Sequence, residues 1–287
     1  MATILICGHR AYAARGLKTE LEAAGHNVLE YSRGEIARND RTITGPVLNI
    51  DDNPLFTERI DLVINFIILQ QKSLEENIAY IDALLRFCRA KGVKRLIQIS
   101  SISSYPNDAL LIKENTFEET DLSKKGGYGM IKSAVDIRLE RARREVDFEI
   151  IFVRPGYIVA RDNPQPFKGV AKFFGKKIAI LLGNRKSTLP CISRNTFHRC
   201  LSEIVTQNNP LLVYLLIEGK DTTKLSYFKS QSNAFIIPLP KWIFVLAANV
   251  AQKLNFINEE MASGIKGIFK VQMFDNSITK NKLRSLK

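Results

Sequence analysis

The first half of this 287-residue chain alternates short apolar runs with helix-periodic stretches, and few architectures accept that pattern. Thr3-Ile-Leu-Ile-Cys7 is continuously apolar and ends at Gly8, as a strand buried on both faces does. Residues 14–24 have helical spacing and stop at Gly25, a position suited to a left-handed cap. Asn27–Ser32 predicts a second strand, Val47–Ile50 a short third and Asp61–Phe66 a fourth. A helix over about 74–90 ends at Lys91-Gly92, Arg95–Ser100 predicts a fifth strand, and a helix runs from Tyr128 to about Arg144. Phe148–Val153 is the sixth strand, closed by Arg154-Pro-Gly156. Such alternation with short connections predicts an α/β, doubly wound parallel sheet with helices on both faces. The second half is irregular: apolar runs near 178–182 and 213–217 lie among loops rich in Asn, Lys and Pro, and a helix follows Pro240. The expected division is a domain over 1–160 and a smaller lobe over 161–287 from which some segments return to the sheet.

Composition is ordinary for a globular protein, with 45% hydrophobic and 25% charged residues. The anomaly is 42 Lys+Arg against 29 Asp+Glu, a net charge of +13. That charge suits a phosphorylated small molecule, a polyanion or an anionic membrane surface. The basic residues are spread along the chain without an arginine-rich tract or nucleic-acid motif, so no nucleic-acid partner is expected. Four cysteines at 7, 88, 191 and 200 have no CxxC spacing and fall in apolar segments. They read as buried free thiols of a reducing compartment, with no metal site. The amino terminus enters a strand with no leader signal, which together with the thiols predicts a cytoplasmic protein. Trp242–Ala248 is too short to span a bilayer and is expected to be a core helix, with a face docked on a membrane as the alternative.

Chemistry is declared at Tyr128 and Lys132, in Gly127-Tyr-Gly-Met-Ile-Lys132. Four residues apart on a helix, they share a face, and an ammonium beside a phenol favours the phenolate and brings proton transfer toward neutral pH. Alone, such a pair is as readily a solvated helix face. At the other end, strand, turn and helix offer backbone NH groups and a helix dipole to a pyrophosphate. The turn reads Gly8-His-Arg-Ala11-Tyr-Ala-Ala14, in which Arg10 is a candidate phosphate contact. The second strand ends in Ser32-Arg33 rather than in a carboxylate, and a guanidinium there pairs with a ribose 2′-phosphate. NADP is therefore expected over NAD. Glu30 is the one acid on that strand and lies two residues too early.

These residues together resemble the extended short-chain dehydrogenase/reductase superfamily, in its NAD(P)-dependent nucleotide-sugar epimerase, reductase and dehydratase branch, from Ile4 to about Leu283. Against the family's Gly-x-x-Gly-x-x-Gly turn only Gly8 is kept; Ala14 is tolerable where close helix packing is the task, whereas Ala11 stands where the backbone must approach the ligand. Ser100-Ser-Ile-Ser-Ser-Tyr105 looks like the family's Ser-Ser-x-x-x-Tyr strand end, which makes Ser101 the catalytic hydroxyl, and Tyr128 and Lys132 match Tyr-x-x-x-Lys. Asn49-Ile50 takes the place of the pair that contacts adenine, Asn77 leads the helix beneath the cofactor, and Arg154-Pro155-Gly156 matches the loop beside the nicotinamide. Ile237-Pro-Leu-Pro240 and Phe274-Asp-Asn-Ser277 look like the substrate lobe and closing segment. Phe66-Ile-Ile68 departs from the small residues usual beside the cofactor. Ile102-Ser103 stand where dehydratases carry Asp-Glu, which argues against a 4,6-dehydratase.

The resemblance implies a Rossmann-like fold and hydride transfer on a nucleotide sugar in surface polysaccharide or sugar-nucleotide biosynthesis. Tyr128 would exchange the proton, Ser101 hold the substrate oxygen, and Lys132 lower the phenol pKa and bind the nicotinamide ribose, while Thr120 and Ser103 are lesser candidates. Arg185, Lys186 and Arg194 are candidate partners of the sugar diphosphate, with solvated loops as the other reading. A 4-keto reductase using NADPH is favoured, a 4-epimerase is the alternative, and a non-catalytic NADP-binding regulator or assembly protein is the alternative of another class. Relatives pair through the helices near 74–90 and 128–144, which implies a homodimer.

Overall fold

The computed structural model describes residues 1–160, 162, 171–174, 178–181, 185, 187–219, 223–231, 235–238, 241–253 and 272–287. Its centre is an eight-stranded sheet. The strands are β1 (Thr3–Cys7), β2 (Asn27–Arg33), β3 (Ala37–Asn39), β4 (Thr42–Gly45), β5 (Leu62–Asn65), β6 (Arg95–Ile99), β8 (Glu149–Pro155) and β13 (Val213–Leu216). Their spatial order is β13-β8-β6-β5-β1-β2-β4-β3, parallel throughout except for the edge pair β3 and β4. Two further pairs are parallel: β7 (Leu111–Lys113) with β15 (Met273–Asp275), and β9 (Tyr157–Val159) with β12 (Cys191–Ser193). A separate small sheet joins β10 (Ala171–Phe174), β11 (Ile178–Leu181) and β14 (Phe235–Pro238).

Each face of the large sheet has its own core, which is why its strands read as unbroken apolar runs. Helices α2 (Leu74–Lys91) and α3 (Gly127–Ala142) close one face over Leu5, Leu29, Val63, Leu96 and Ile150. Helices α1 (Leu17–Ala23) and α4 (Arg194–Thr206) close the other over Ile4, Ile6, Ile64, Ile97 and Ile151. Both β13 and α4 come from beyond residue 160, β13 pairing with β8 and α4 packing on the large sheet. Helix α2 begins with a capping box between Ser73 and Glu76 and ends on Gly92 at φ +63°, a left-handed cap.

Three local expectations fail for identifiable reasons. Val47–Ile50 is not a strand but part of a 3-10 helix, Val47–Asp52; Val47 and Ile50, three apart, both turn inward under α2, while Asp51 pairs with Arg86 at 2.6 Å. The strand position beside β2 belongs to β4. Helix α1 starts at Leu17 rather than 14, because Tyr12–Ala14 forms a 3-10 turn and Gly16 at φ +89° interrupts the path. Finally, α6 (Lys241–Lys253) forms where a helix was expected after Pro240, but Trp242 and Leu246 are exposed and not in a core. The lobe's own core is small, built on Leu181, Leu189 and Phe228, with α5 (Lys224–Gln231) packed beside β14. All four cysteines are buried and free.

Candidate active site

Strands β1, β2 and β4 run outward to one side of the sheet and β5, β6 and β8 to the other, so the connections diverge between β1 and β5. In a sheet of this kind the crevice at the carboxyl ends of the strands beside that divergence is where a ligand binds. A cavity of about 730 Å³ lies there, running from the turn Ala11-Tyr-Ala13 past Phe66, Ile68 and Ser101 to Tyr128, Lys132 and Pro155, with Phe274 among the residues that close it. Phe274 belongs to β15, and its pairing with β7 draws the carboxyl-terminal segment over the cavity, as expected for a closing segment.

Ser101, Tyr128 and Lys132, 27 and 31 residues apart in sequence, meet in this cavity. Ser101 caps the 3-10 turn Ile102–Ser104, and its Oγ accepts from the Ser103 backbone NH at 3.1 Å and from Ser103 Oγ at 2.8 Å. With both bonds accepted, its own hydrogen remains to be donated into the cavity. Tyr128 stands in the first turn of α3 and is 47% exposed, whereas Lys132, one turn on, is buried at 4%. The Lys132 Nζ donates to the Ile99 carbonyl at 2.5 Å and lies 5.8 Å from the centre of the Tyr128 ring.

Burial raises the phenol of Tyr128 above its ordinary value, hydrogen bonding with the Ser101 side chain draws it down and the Asp136 charge raises it. The Lys132 ammonium, bonded to the Ile99 carbonyl, stands beside the ring rather than at the phenol oxygen. Lys132 is itself pulled down to about 8 by burial, opposed by the Asp136 charge. An ammonium that loses its proton near pH 8 can move a proton as well as hold one.

Asp136 was not visible as a site residue, although it continues the 128, 132 spacing on the same helical face. It is fully buried, and its Oδ2 accepts from Ser100 Oγ at 2.7 Å and from Arg154 at 3.2 Å (Nε) and 3.0 Å (Nη2). Burial raises the Asp136 carboxyl, and Arg154, Ser100 and Lys132 draw it back. Arg154 also reaches Glu118 at 3.2 Å and stacks over Tyr105 with 4.6 Å to the ring centre. The arginine of Arg154-Pro-Gly is therefore an internal tie between β8 and α3, and only Pro155 and Gly156 reach the cavity. Gly156 has to be glycine: a Cβ there would lie 2.3 Å from the Pro190 carbonyl oxygen, on the crossing of β9 and β12.

The phosphate turn is held from several sides. Gly8 sits at φ +84°, and a Cβ on it would lie 2.9 Å from Ile67 Cγ1, so the bulky residues after β5 rest on the glycine. Phe66 and Ile68 line the cavity wall. Ala11 lines it as well, Ala14 is buried in the core, and Arg10 is exposed. His198 of α4 bonds the Ala13 carbonyl at 2.8 Å, a support that sequence did not reveal. Asn77 clamps the loop after β5 with bonds to the Leu69 carbonyl at 3.1 Å, the Ser73 carbonyl at 2.9 Å and the Leu69 NH at 2.9 Å.

At the end of β2, Arg33 is exposed and the buried Ser32 Oγ has no partner. Glu30 is engaged elsewhere, accepting from Thr42 Oγ1 at 3.3 Å and facing Lys18 at 3.7 Å. An unmatched buried hydroxyl beside a turn that opens into a cavity of this size fits a dinucleotide, whose adenosine ribose falls at the end of the second strand. Asn49 is exposed, while the Ile50 side chain is in the core, leaving only its main chain for a ligand.

The expected diphosphate contacts fare differently. Arg194 is paired with Asp162 at 2.9 Å and stacked 5.0 Å over Tyr12, beside the phosphate turn rather than free in the lobe. Arg185 is exposed in a turn and does not line the cavity, and Lys186 lies outside the described residues.

Comparison with known proteins follows the same lines. Residues 4–209 match the NAD dependent epimerase/dehydratase family. No curated protein matches the chain. Among solved structures, a UDP-glucose 4-epimerase from Thermotoga maritima with UDP-glucose is 14% identical, with 97% of this chain and 91% of that one covered and a TM-score of 0.69. The NAD-dependent NDP-hexosamine 5,6-dehydratase TunA of tunicamycin biosynthesis is 15% identical over 99% of this chain and 91% of its own, at 0.66. A short-chain dehydrogenase/reductase superfamily protein from Agrobacterium tumefaciens with bound NAD is 13% identical over 98% and 91%, at 0.67. At these identities the likeness is one of fold, and the family rests on the sequence match. Because that match takes in the phosphate turn, the serine strand end and the Tyr128 helix, the chain is an NAD(P)-dependent enzyme that belongs to the NAD dependent epimerase/dehydratase family.

Proposed function

We propose that this chain transfers hydride between NADP(H) and the carbinol or ketone carbon of a nucleotide sugar, acting as a 4-keto reductase. The observation that carries the reading is the convergence of Ser101, Tyr128 and Lys132 on one cavity with no carboxylate among its described lining residues. That set serves proton exchange at one oxygen, and it lacks the acid and base pair that elimination from a neighbouring carbon requires. Structures of similar fold include an epimerase bound to UDP-glucose, which supports the nucleotide-sugar substrate class.

The bound nicotinamide supplies the hydride chemistry. Gly8, Ala11, Ala14 and Phe66 would shape the cofactor's pocket, with Arg10 to hold the phosphates, Asn49 and the Ile50 main chain the adenine, and Pro155 the nicotinamide. Ser32 and Arg33 would receive the ribose 2′-phosphate, since the strand ends in them rather than in a carboxylate and Glu30 stands two residues earlier, facing Thr42 and Lys18. Ser101 donates to the substrate oxygen, Tyr128 gives that oxygen its proton, and Lys132 restores the proton from the far side. Among the described residues no arginine lines the cavity, so Arg185 and Lys186 are assigned to the diphosphate by their place in the lobe alone.

A 4-epimerase would use the same three residues and return the hydride to the sugar; the vacant carboxylate position at the end of β2 favours the reductase, because NADPH is the reductant of net reductions. A non-catalytic role is favoured by Ala11 in the turn and by the bulk of Ile67, which lies against Gly8, and of Ile68 in the cavity wall. The test is NADPH oxidation with a panel of uridine and thymidine diphospho-4-keto sugars, against the wild type and Tyr128→Phe. Turnover lost by about two orders of magnitude or more in the variant, with NADPH binding kept, is the expected result. NADPH binding without Tyr128-dependent turnover across the panel rules the enzyme reading out, and product epimerised without net NADPH loss selects the epimerase.

A further inference from the structure

Helix α6 turns its apolar side outward. Trp242, Leu246 and Val250 recur every four residues and are 66%, 57% and 49% exposed, so they form one stripe on the helix surface. Two residues upstream, β14 does the same. Ile236 packs against the core of Leu181 and Phe228, while Phe235 and Ile237 on the opposite side are 72% and 37% exposed. Ile178, in register with Phe235 on the adjacent β11, is 41% exposed. Along β11 and β14 the small sheet therefore buries one apolar side and, among the described residues, leaves the other exposed. Large side chains grouped in this way mark an interaction surface rather than scattered exposure.

Charge says what the surface meets. Residues 1–160 carry 22 Lys+Arg and 22 Asp+Glu, whereas residues 161–287 carry 20 and 7. The whole +13 of the chain thus lies in the part that bears the exposed apolar stripe. Helix α6 has no acidic residue, and its only charged residues are Lys241 and Lys253 at its two ends. A helix with an outward tryptophan and aliphatic stripe and lysines at both ends, in the half of the chain that carries the net positive charge, is suited to the plane of an anionic bilayer, with the ring at headgroup level. No helix among the described residues is long and apolar enough to cross a membrane, so the seat is on the surface. A second copy of the chain would set the same helix, with its two lysines and no carboxylate, against itself, which gives self-association through this face no opposite charge to meet.

We propose that the α6 stripe and the outward side of β11 and β14 dock the protein on an anionic phospholipid surface. Trp242 is the single tryptophan of the chain, so intrinsic fluorescence reads this surface directly. The protein is titrated with vesicles of pure phosphatidylcholine and with vesicles containing phosphatidylglycerol, and emission and co-sedimentation are followed. The expected result is a shift to shorter wavelength and co-sedimentation with the anionic vesicles only, reversed at about 1 M salt, where the Debye length falls to about 3 Å. Leu246→Asp with Val250→Asp should weaken partition by about a hundredfold, since each aliphatic side chain withdrawn from lipid contributes about an order of magnitude. Because both residues are exposed, the thermal midpoint should stay that of the wild type. Four outcomes overturn the proposal. They are equal binding to phosphatidylcholine, no shift with either vesicle, a concentration-dependent shift without lipid, which assigns the face to a second copy, and emission of a buried indole before lipid is added, which assigns it to the chain itself.

Discussion

Replacing Asp136 by Asn tests whether the buried charges behind the candidate site hold it in place. One carboxylate oxygen takes three donors, from Ser100 at 2.7 Å and from Arg154 at 3.2 and 3.0 Å, while Asp136 Oδ1 is buried without a partner. An asparagine keeps an acceptor at the first position but places an NH2 where no acceptor waits, and it removes the charge that Arg154 faces. Breaking a buried ion pair from one side costs about 3–5 kcal/mol. Arg154 retains Glu118 at 3.2 Å and the Tyr105 ring, so the lower end, about 3 kcal/mol, is expected. For a chain of this size that is a fall in Tm of about 6–12 °C.

A second readout separates structure from chemistry. Lys132 titrates at about 8, held up against burial by Asp136. As pH rises through that value the ammonium is lost, so NADPH-dependent turnover should decline above about pH 8 in the wild type. Asp136→Asn lowers the Lys132 pKa further, and the alkaline limb should move to lower pH. The double variant Asp136→Leu with Arg154→Met removes both charges and should recover much of the stability, yet its limb should remain displaced. Differential scanning calorimetry and kcat/KM against pH measure the two effects. A loss under about 1 kcal/mol with an unmoved limb would refute the assignment of this network to the site.

Gly156→Ala drives a methyl group to 2.3 Å from the Pro190 carbonyl oxygen, and backbone cannot give way cheaply; a loss of about 1–3 kcal/mol in urea unfolding is expected, where a neutral result would mean that β9 and β12 move apart freely. Arg33→Ala should raise the KM for NADPH about tenfold to a hundredfold through the lost charge-assisted bonds and leave NADH unaffected, and equal effects on both cofactors would remove the 2′-phosphate assignment. Burial pushes the thiols of Cys7 and Cys200 up to about 12 and that of Cys191 to about 11, and raises Cys88 as well. The native protein should therefore react with none of its four cysteines at pH 8 and with all four in denaturant, as counted with a chromogenic disulfide reagent.

The parts legible in the sequence were those set by local pattern. Strands buried on both faces leave continuous apolar runs, and β1, β5, β6 and β8 fall close to where those runs lie. Ser101, Tyr128 and Lys132 were recognisable because each occupies a fixed offset within one strand end or one helical turn. What escaped depends on partners distant in sequence. The Asp162 that occupies Arg194 is 32 residues away, and the Arg154 that receives Asp136 is 18 away. Val47–Ile50 was ambiguous on its own terms, since four apolar-rich residues suit a strand or an inward-turned 3-10 helix, and the decision came from α2 lying above them. The outward face of α6 could not be read from its sequence either, because apolar content does not say which side is covered.

One helical face ties the chemistry to the rest of the molecule. Along α3, Tyr128, Lys132 and Asp136 follow one another at single-turn spacing with exposures of 47%, 4% and 0%, so the phenol stands at the mouth, the cation in the wall and the anion in the core. Arg154 binds the inner end of this series from β8, and the next two residues of that strand end, Pro155 and Gly156, form part of the cavity. Gly156 in turn admits Pro190 and the β12 pairing that leads into α4, whose His198 supports the phosphate turn. A disturbance at Asp136 can therefore reach both the Tyr128/Lys132 pair and the turn at Ala13 through contacts of the scaffold, of which Pro190, β12 and His198 lie beyond residue 160, whereas among the described residues α6, β11 and β14 supply none of these links. On that geometry, substitutions in the lobe should change substrate choice and surface attachment, and substitutions along α3 and β8 should change turnover with any substrate.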